Sequence, residues 1–157
     1  MNISNDAKFE DGAERPLRLK ALDEEDLRVV SSLAQDSVFP GSEMLWQRTQ
    51  RRFAILLNRF RWEDPARERH GAERVQSVLA FEDVISVQSQ GVARDAETVF
   101  SLLAIEFITS EDGAGRIELT LAGDGAIALE VEALEVSLKD VTRPYGAPSG
   151  AVPEHPE

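Results

Sequence analysis

Regular alternation of apolar and polar residues from Val99 to Val141 constrains the fold of this chain more than any other feature. Apolar residues stand two positions apart in two successive runs, namely Ile117, Leu119 and Leu121, and then Ile127, Leu129 and Val131. Because side chains two apart on a strand share a face, each run predicts a strand with one buried face. Gly and Asp residues at 111–115 and 123–125 are typical of the turns between such strands. The stretch therefore predicts an antiparallel β-meander.

The parity of the apolar positions changes near the end of this stretch. Leu134, Val136 and Leu138 are even-numbered, whereas the preceding run is odd-numbered, so one unbroken strand would expose half of these residues. A β-bulge at Glu132-Ala133 would return both sets to the core. The alternative is a switch to helix at Ala133, but the continued alternation favours a strand.

One helix is expected before the main strands. Asp23 is a typical N-cap, acidic residues fill the following turn, and apolar residues at helical spacing continue to about Gln35. These acids are better explained by capping than by an active site. Further strands are predicted at Leu17–Ala21, Met44–Trp46, Arg52–Trp62, Arg74–Phe81 and Val84–Gln90.

The pattern indicates the α+β class, mostly antiparallel β, with about eight strands and one helix in the N-terminal half of the chain. The strands would form a bent sheet, an open barrel or two packed sheets. The element counts resemble a pleckstrin-like barrel, although that fold carries its helix at the C-terminus. Residues 1–15 are expected to be a disordered leader, residues 16–142 a single β-rich domain, and residues 143–157 an extended or disordered Pro/Gly-rich tail.

Composition narrows the function classes. The net charge of -12 argues against binding to nucleic acid or to a membrane surface, and no apolar run is long enough to span a bilayer. The absence of cysteine favours the cytoplasm and excludes disulfides and thiolate metal sites. The two histidines, His70 and His155, have no partner at metal-ligand or acid/base spacing, so we expect no catalytic residue, metal or cofactor.

A basic segment interrupts this acidic chain. Residues 48–74 hold eight basic and four acidic residues, and the strand at its centre ends with alternating arginines and aromatics. We expect that end to emerge at a rim of the sheet. The candidate interaction surface comprises Arg48, Arg51, Arg52, Arg59, Phe60, Arg61 and Trp62. The alternative is that Arg59 and Arg61 pair with carboxylates of the same chain, such as those of the Glu130–Glu135 strand.

Several stretches resemble a known family. They are Leu19–Leu27, Arg51–Glu63, Val87–Gly91, Ser101–Ile105 and Gly125–Glu132, and the most specific is the string Arg-Arg-Phe-Ala-Ile-Leu-Leu-Asn-Arg-Phe at 51–60. They are similar to an alphaproteobacterial family catalogued as domain of unknown function 2948, over about residues 17–142. The resemblance implies a small bacterial cytoplasmic protein, and it supplies no catalytic residue.

The function itself is unknown from the sequence. The leading hypothesis is a non-enzymatic protein-interaction module that uses the basic and aromatic strand edge to meet a protein partner or a second copy of the chain. The alternative is a barrel that binds a small anionic ligand near Arg59 or Arg61. An enzyme acting through carboxylates is the third hypothesis.

Overall fold

A computed structural model describes residues 15–63 and 73–146 of the chain. Within these ranges the one α-helix, α1, spans Glu24–Ala34. Short 3-10 turns at Gly41–Glu43 and Arg48–Gln50 flank the third strand. The strands are β1 (Arg18–Ala21), β2 (Val38–Pro40), β3 (Met44–Gln47), β4 (Arg52–Phe60), β5 (Glu73–Phe81), β6 (Val84–Gln90), β7 (Val99–Thr109), β8 (Gly115–Leu121), β9 (Ala126–Val131), β10 (Val136–Asp140) and β11 (Tyr145–Gly146).

The strands form one antiparallel sheet in the order β1-β10-β5-β4-β2-β7-β8-β9-β6, with β3 added to β4 and β11 added to β5. Strand β2 pairs with β4 on one side and with β7 on the other. It therefore links a first half (β1, β10, β5, β4 and β3) to a second half (β7, β8, β9 and β6). The path is not closed. The predicted α+β class is confirmed, and the described strands form an open sheet, not a closed pleckstrin-like barrel.

Both halves of the sheet turn one face toward a single hydrophobic core. The first half contributes Phe53, Ile55 and Leu57, and the second half contributes Ile117 and Leu119 among others. A flat sheet could not bring these rows together, so the sheet bends around the core. Helix α1 packs against β7 and β1 and adds three buried side chains, those of Leu27, Val30 and Ala34.

Helix α1 begins where its N-cap residue, Asp23, predicts. Asp23 has an extended backbone, and its Oδ1 accepts a hydrogen bond of 2.8 Å from the backbone N–H of Asp26. Glu24, Glu25 and Asp26 fill the first turn, where the helix dipole favours negative charge. The predicted N-cap is confirmed, and these acids have the capping role expected of them.

The parity change near residue 133 has a different cause from the one predicted. Leu134, Val136 and Leu138 are buried in the same core as the preceding odd-numbered run, as expected. However, β9 ends at Val131, and β10 begins at Val136 in the other half of the sheet, between β1 and β5. The prediction of a bulge within one strand is therefore wrong, because residues 132–135 carry the chain from one half to the other.

Three stretches of the chain lie outside the described residues. They are residues 1–14 of the expected leader, residues 64–72 after β4, and residues 147–157 of the expected tail. The first residues of that tail form β11, in which Tyr145 pairs with Arg74 of β5. The Tyr145 hydroxyl also accepts a hydrogen bond of 2.8 Å from Nδ2 of Asn58.

Candidate interaction surface

Arg59 lies inside the protein, in the inward-facing row of β4. Its side chain is 0% exposed and follows Phe53, Ile55 and Leu57 on the same face of the strand. Strand alternation places position 59 in this row, and the strand does not emerge from the sheet before its end at Phe60. The expectation that Arg59 belongs to an exposed rim is therefore wrong.

All three guanidinium nitrogens of Arg59 donate hydrogen bonds to groups of the same chain. Nη1 and Nη2 donate to the two carboxylate oxygens of Glu63 at 2.8 and 2.9 Å. Nη2 also donates to Oδ1 of Asp140 at 3.0 Å, and Nε donates to Oγ of Ser77 at 3.2 Å. Asp140 further accepts from the Ser77 hydroxyl at 2.7 Å and from the backbone N–H of Leu17 at 2.9 Å. We call Arg59, Glu63, Ser77 and Asp140 the arginine cluster.

Contacts within the arginine cluster stabilise the ionised forms of Arg59 and Glu63. Burial alone would raise the pKa of Glu63, but the hydrogen bonds and positive charge of Arg59 outweigh it and leave that pKa below its ordinary value. Burial alone would lower the pKa of Arg59, whereas its contacts with Glu63 and Asp140 hold that pKa above its ordinary value. A bidentate, charge-assisted pair of this kind is among the stronger polar contacts in a protein.

The neighbouring rim residues are also engaged within the chain. The Arg61 side chain is only 4% exposed, and its Nη1 donates to Oε1 of Glu73. Phe60 is buried and meets the ring of Trp62 edge-on, with centroids 4.6 Å apart. The Trp62 indole donates a 2.9 Å hydrogen bond to the carbonyl of Gln35, at the end of α1. The prediction that Phe60 and Arg61 lie at an exposed rim is therefore also wrong.

The other three arginines of the candidate surface surround the turn before β4. Arg48 is exposed on the 3-10 turn. Arg51, which adopts a left-handed backbone (φ 56°), pairs with Glu132 at 2.8 Å, and Arg52 pairs with Glu82 at 3.3 Å. The structure therefore divides the seven predicted residues into a buried or half-buried group at one end of β4 and an exposed or half-exposed group at the other.

Arg59 and Arg61 already form ion pairs with carboxylates of the same chain. The sequence pointed to the Glu130–Glu135 strand for these partners, but the structure supplies Glu63, Glu73 and Asp140 instead. An anionic ligand at either arginine would have to compete with carboxylates held at hydrogen-bonding distance.

A different surface gathers cations that are far apart in the sequence. In the first half of the sheet, the register places one row of each strand inward and the other row on the outside. Within these five described strands, no outward position holds Asp or Glu. The outward cations are Arg18, Lys20, Arg52, Arg74 and Lys139, and the outward apolar residues between them include Leu45, Ala54, Leu56, Val78 and Ala80. We call this surface the outer face.

The outer face contains a shallow apolar groove. Leu45 of the edge strand β3 is 54% exposed, and its neighbours across the strands are Ala54, Leu56 and Val78. These residues line a depression of about 430 Å³, to which Arg52 and Glu43 also contribute. The outward positions of the second half differ, because they include Glu106, Glu118 and Glu130.

Sequence reasoning missed the outer face because its cations come from four strands. The sequence does show which face of a strand each residue lies on, because even-numbered residues of β4 and β5 lie on the other face from the buried odd-numbered ones. The sequence does not show the order of the strands in the sheet, and only that order makes β1, β10 and β5 neighbours. The signal available in the sequence was the lack of any acid at the outward parity of these strands.

Among the described residues, no helix has the length and apolar character needed to cross a bilayer. In the same part of the chain, no group of three or more His, Cys, Asp or Glu side chains is arranged to hold a metal ion.

Comparison with known proteins gives a family but no activity. A family model described as "Protein of unknown function (DUF2948)" matches residues 17–155, which confirms the resemblance seen in the sequence. No curated protein and no solved structure matches the chain. Because the family model covers far more than half of the 157 residues, the chain belongs to the DUF2948 family.

Proposed function

We propose that this chain is a non-enzymatic protein-interaction module that binds an acidic protein segment on its outer face. One observation carries the proposal: in a chain of net charge -12, every charged residue on the outward rows of five neighbouring strands is a cation. Two of these cations, Lys20 and Arg52, pair with Glu135 and Glu82 beside the strands, so the positive field that would attract an acidic partner and speed its association comes mainly from the others, including Arg18 and Lys139.

Like charges on the outer face stand directly opposite one another. Arg18 of β1 pairs in register with Lys139 of β10, and both side chains are exposed. Like charges directly opposite on neighbouring strands are destabilising. A carboxylate placed between Arg18 and Lys139 would relieve that repulsion, and this favours a partner with acidic side chains spaced along an extended segment.

The groove favours a protein partner over a simple polyanion. Leu45, Leu56 and Val78 offer an apolar floor that suits an aliphatic or aromatic side chain. Nucleic acid and anionic lipid would gain little from this floor, and the net charge of -12 would repel them. We place the interaction in the bacterial cytoplasm, because the chain has no cysteine and so does not depend on disulfide bonds, which are rare in that compartment.

Charge reversal on the outer face tests the proposal. The variant Arg18→Glu/Lys139→Glu alters two exposed cations, and the control Arg28→Glu/Arg94→Glu makes the same change in net charge on exposed residues elsewhere. Wild type and control should capture the same acidic protein from a bacterial lysate, and the outer-face variant should lose it. With the captured protein purified, the association rate should fall at least about tenfold in the outer-face variant, and added salt should slow the wild type similarly.

The opposite outcome is equally clear. If the outer-face variant captures the partner as well as the wild type does, or if the control loses it equally, the outer face is not the docking surface. Far-UV circular dichroism of all three proteins separates lost binding from lost folding. Reversal of Arg59 and Arg61 is unsuitable for this test, because both arginines are buried and paired.

A further inference from the structure

Strand β6 forms one open end of the sheet. It pairs with β9 and ends the strand order. Among the described residues, no strand pairs with residues 85–90 on the other side, and only Val84 reaches back to the chain there, through a 2.9 Å hydrogen bond to the Arg51 carbonyl. A seven-residue strand is about 23 Å long, so this edge offers a substantial row of unpaired backbone groups.

The free edge of β6 has little protection, since its register shift between Val84 and Ser86 interrupts only the start of the strand. Its sequence, Val-Ile-Ser-Val-Gln-Ser-Gln, contains no charged residue and no proline. At the opposite end of the sheet, two of the four residues of β1 are the cations Arg18 and Lys20. Charges on an edge strand hinder pairing with another chain, so β1 is protected by charge and β6 is not.

We propose that β6 of one copy pairs antiparallel with β6 of a second copy, joining the second halves of two chains into a continuous sheet. Two identical strands related by a two-fold axis give the self-complementary interface of a symmetric dimer. The proposal is independent of the outer face, which lies on the first half of the sheet.

Electrostatics favour a second copy at this edge. Two chains of net charge -12 repel each other, so they can approach closely only where the contacting strand is uncharged. The nearest acid on the outward rows is Glu130 of β9, opposite Ser86. In the dimer, two Glu130 side chains would be three strand spacings apart, about 14 Å, which exceeds the Debye length of about 10 Å at 0.1 M salt.

The side chains of β6 also suit self-pairing. Ser86, Gln88 and Gln90 share the outward row and would form a ladder of neutral hydrogen-bonding groups across the two copies. Ile85, which is 55% exposed, lies on the same strand and would lose water contact beside the second copy. A charged partner would find no complementary charge on this edge.

Molecular mass in solution tests the proposal. By sedimentation or light scattering, the wild type should have twice the mass of the 17.4 kDa chain and dissociate on dilution. The variant Ser86→Lys/Gln88→Lys should be a monomer, because its lysines face one another across the two-fold axis. The variant Ser86→Glu/Gln88→Glu should also be a monomer, and an equimolar mixture of the two variants should restore the dimer.

The control Thr120→Lys adds charge to an exposed outward position of β8, two strands from the edge, and should remain a dimer. Amide hydrogen exchange of the wild type needs no variant, and protection of residues 85–90 should fall on dilution while that of β8 stays constant. A monomeric wild type would overturn the proposal. So would a dimer that survives the lysine variant, or protection at residues 85–90 that does not change with concentration.

Discussion

Replacing Arg59 by methionine should destabilise the protein far more than replacing an exposed arginine. The substitution keeps most of the apolar stem but leaves Glu63 and Asp140 without their shared cation. Asp140 is nearly fully buried, and among the described residues its carboxylate would keep the Ser77 hydroxyl and the Leu17 N–H as donors. Removing one partner from a buried ionic group costs about 3–5 kcal/mol, because the remaining charge stays in a medium of low dielectric.

The matched control is Arg116→Met in β8. Arg116 also pairs with a carboxylate, that of Glu118 at 2.8 Å, but both side chains are more than one-third exposed. Exposed pairs of this kind contribute about 0–1 kcal/mol. Urea unfolding followed by circular dichroism measures both changes, and the free energies are comparable if the denaturant slope is unchanged.

A double variant separates lost pairing from lost packing. In Arg59→Met/Asp140→Asn, the unpaired charge of Asp140 is removed, so the loss of stability should be smaller than the sum of the two single losses by about 1–3 kcal/mol. The reasoning would be refuted if Arg59→Met costs no more than Arg116→Met. It would also be refuted if the double-variant losses add without any coupling.

Three further predictions concern other features. The pKa of Glu63 is lowered in the folded state, so its contribution to stability is present above its ordinary pKa and disappears as pH falls through the folded value. Unfolding free energies measured from neutral to acidic pH should therefore fall less steeply below pH 4.5 in Glu63→Gln than in the wild type. Asp23→Ala should cost about 1 kcal/mol in a thermal melt through loss of the N-cap bond to Asp26, and an unchanged melt would contradict that role. Gly41→Ala should cost about 3 kcal/mol in urea unfolding, because the new Cβ would lie 1.8 Å from the Ala93 carbonyl oxygen, and a loss below 1 kcal/mol would show that the 93–94 backbone moves aside easily.

The sequence predicts the elements of this fold well because their signals are local. Residue-by-residue alternation places β5 and β8 almost to their ends, and the Asp23 cap places the start of α1. The parity change after Val131 was also readable, together with the burial of Leu134. The sequence could not show its cause, because a β-bulge and a connection to the other half of the sheet produce the same change of parity.

The arginines show where sequence reasoning fails. Alternation alone places Arg59 and Arg61 in the inward row with Leu57, but their charge suggested an exposed rim. The deciding information is the position of the acids. Asp140 lies 81 residues further along the chain, and only the pairing of β10 with β5 brings it to Arg59. The cations of the outer face were missed for the same reason, since neighbouring strands are not neighbours in the sequence.

The arginine cluster also restricts how this sequence can diverge. Loss of Arg59 leaves the buried Asp140 carboxylate without its cation, whereas loss of Glu63 or Asp140 leaves Arg59 paired with the other carboxylate. An apolar set of similar volume can be nearly neutral. An exchange of the ionic set for an apolar set by single substitutions therefore passes through an intermediate of low stability, the one in which Arg59 or its last carboxylate stands alone. Homologous chains should carry Arg59 together with at least one of the two carboxylates, or none of the three charges, and a chain engineered at Arg59 needs a compensating change at Asp140.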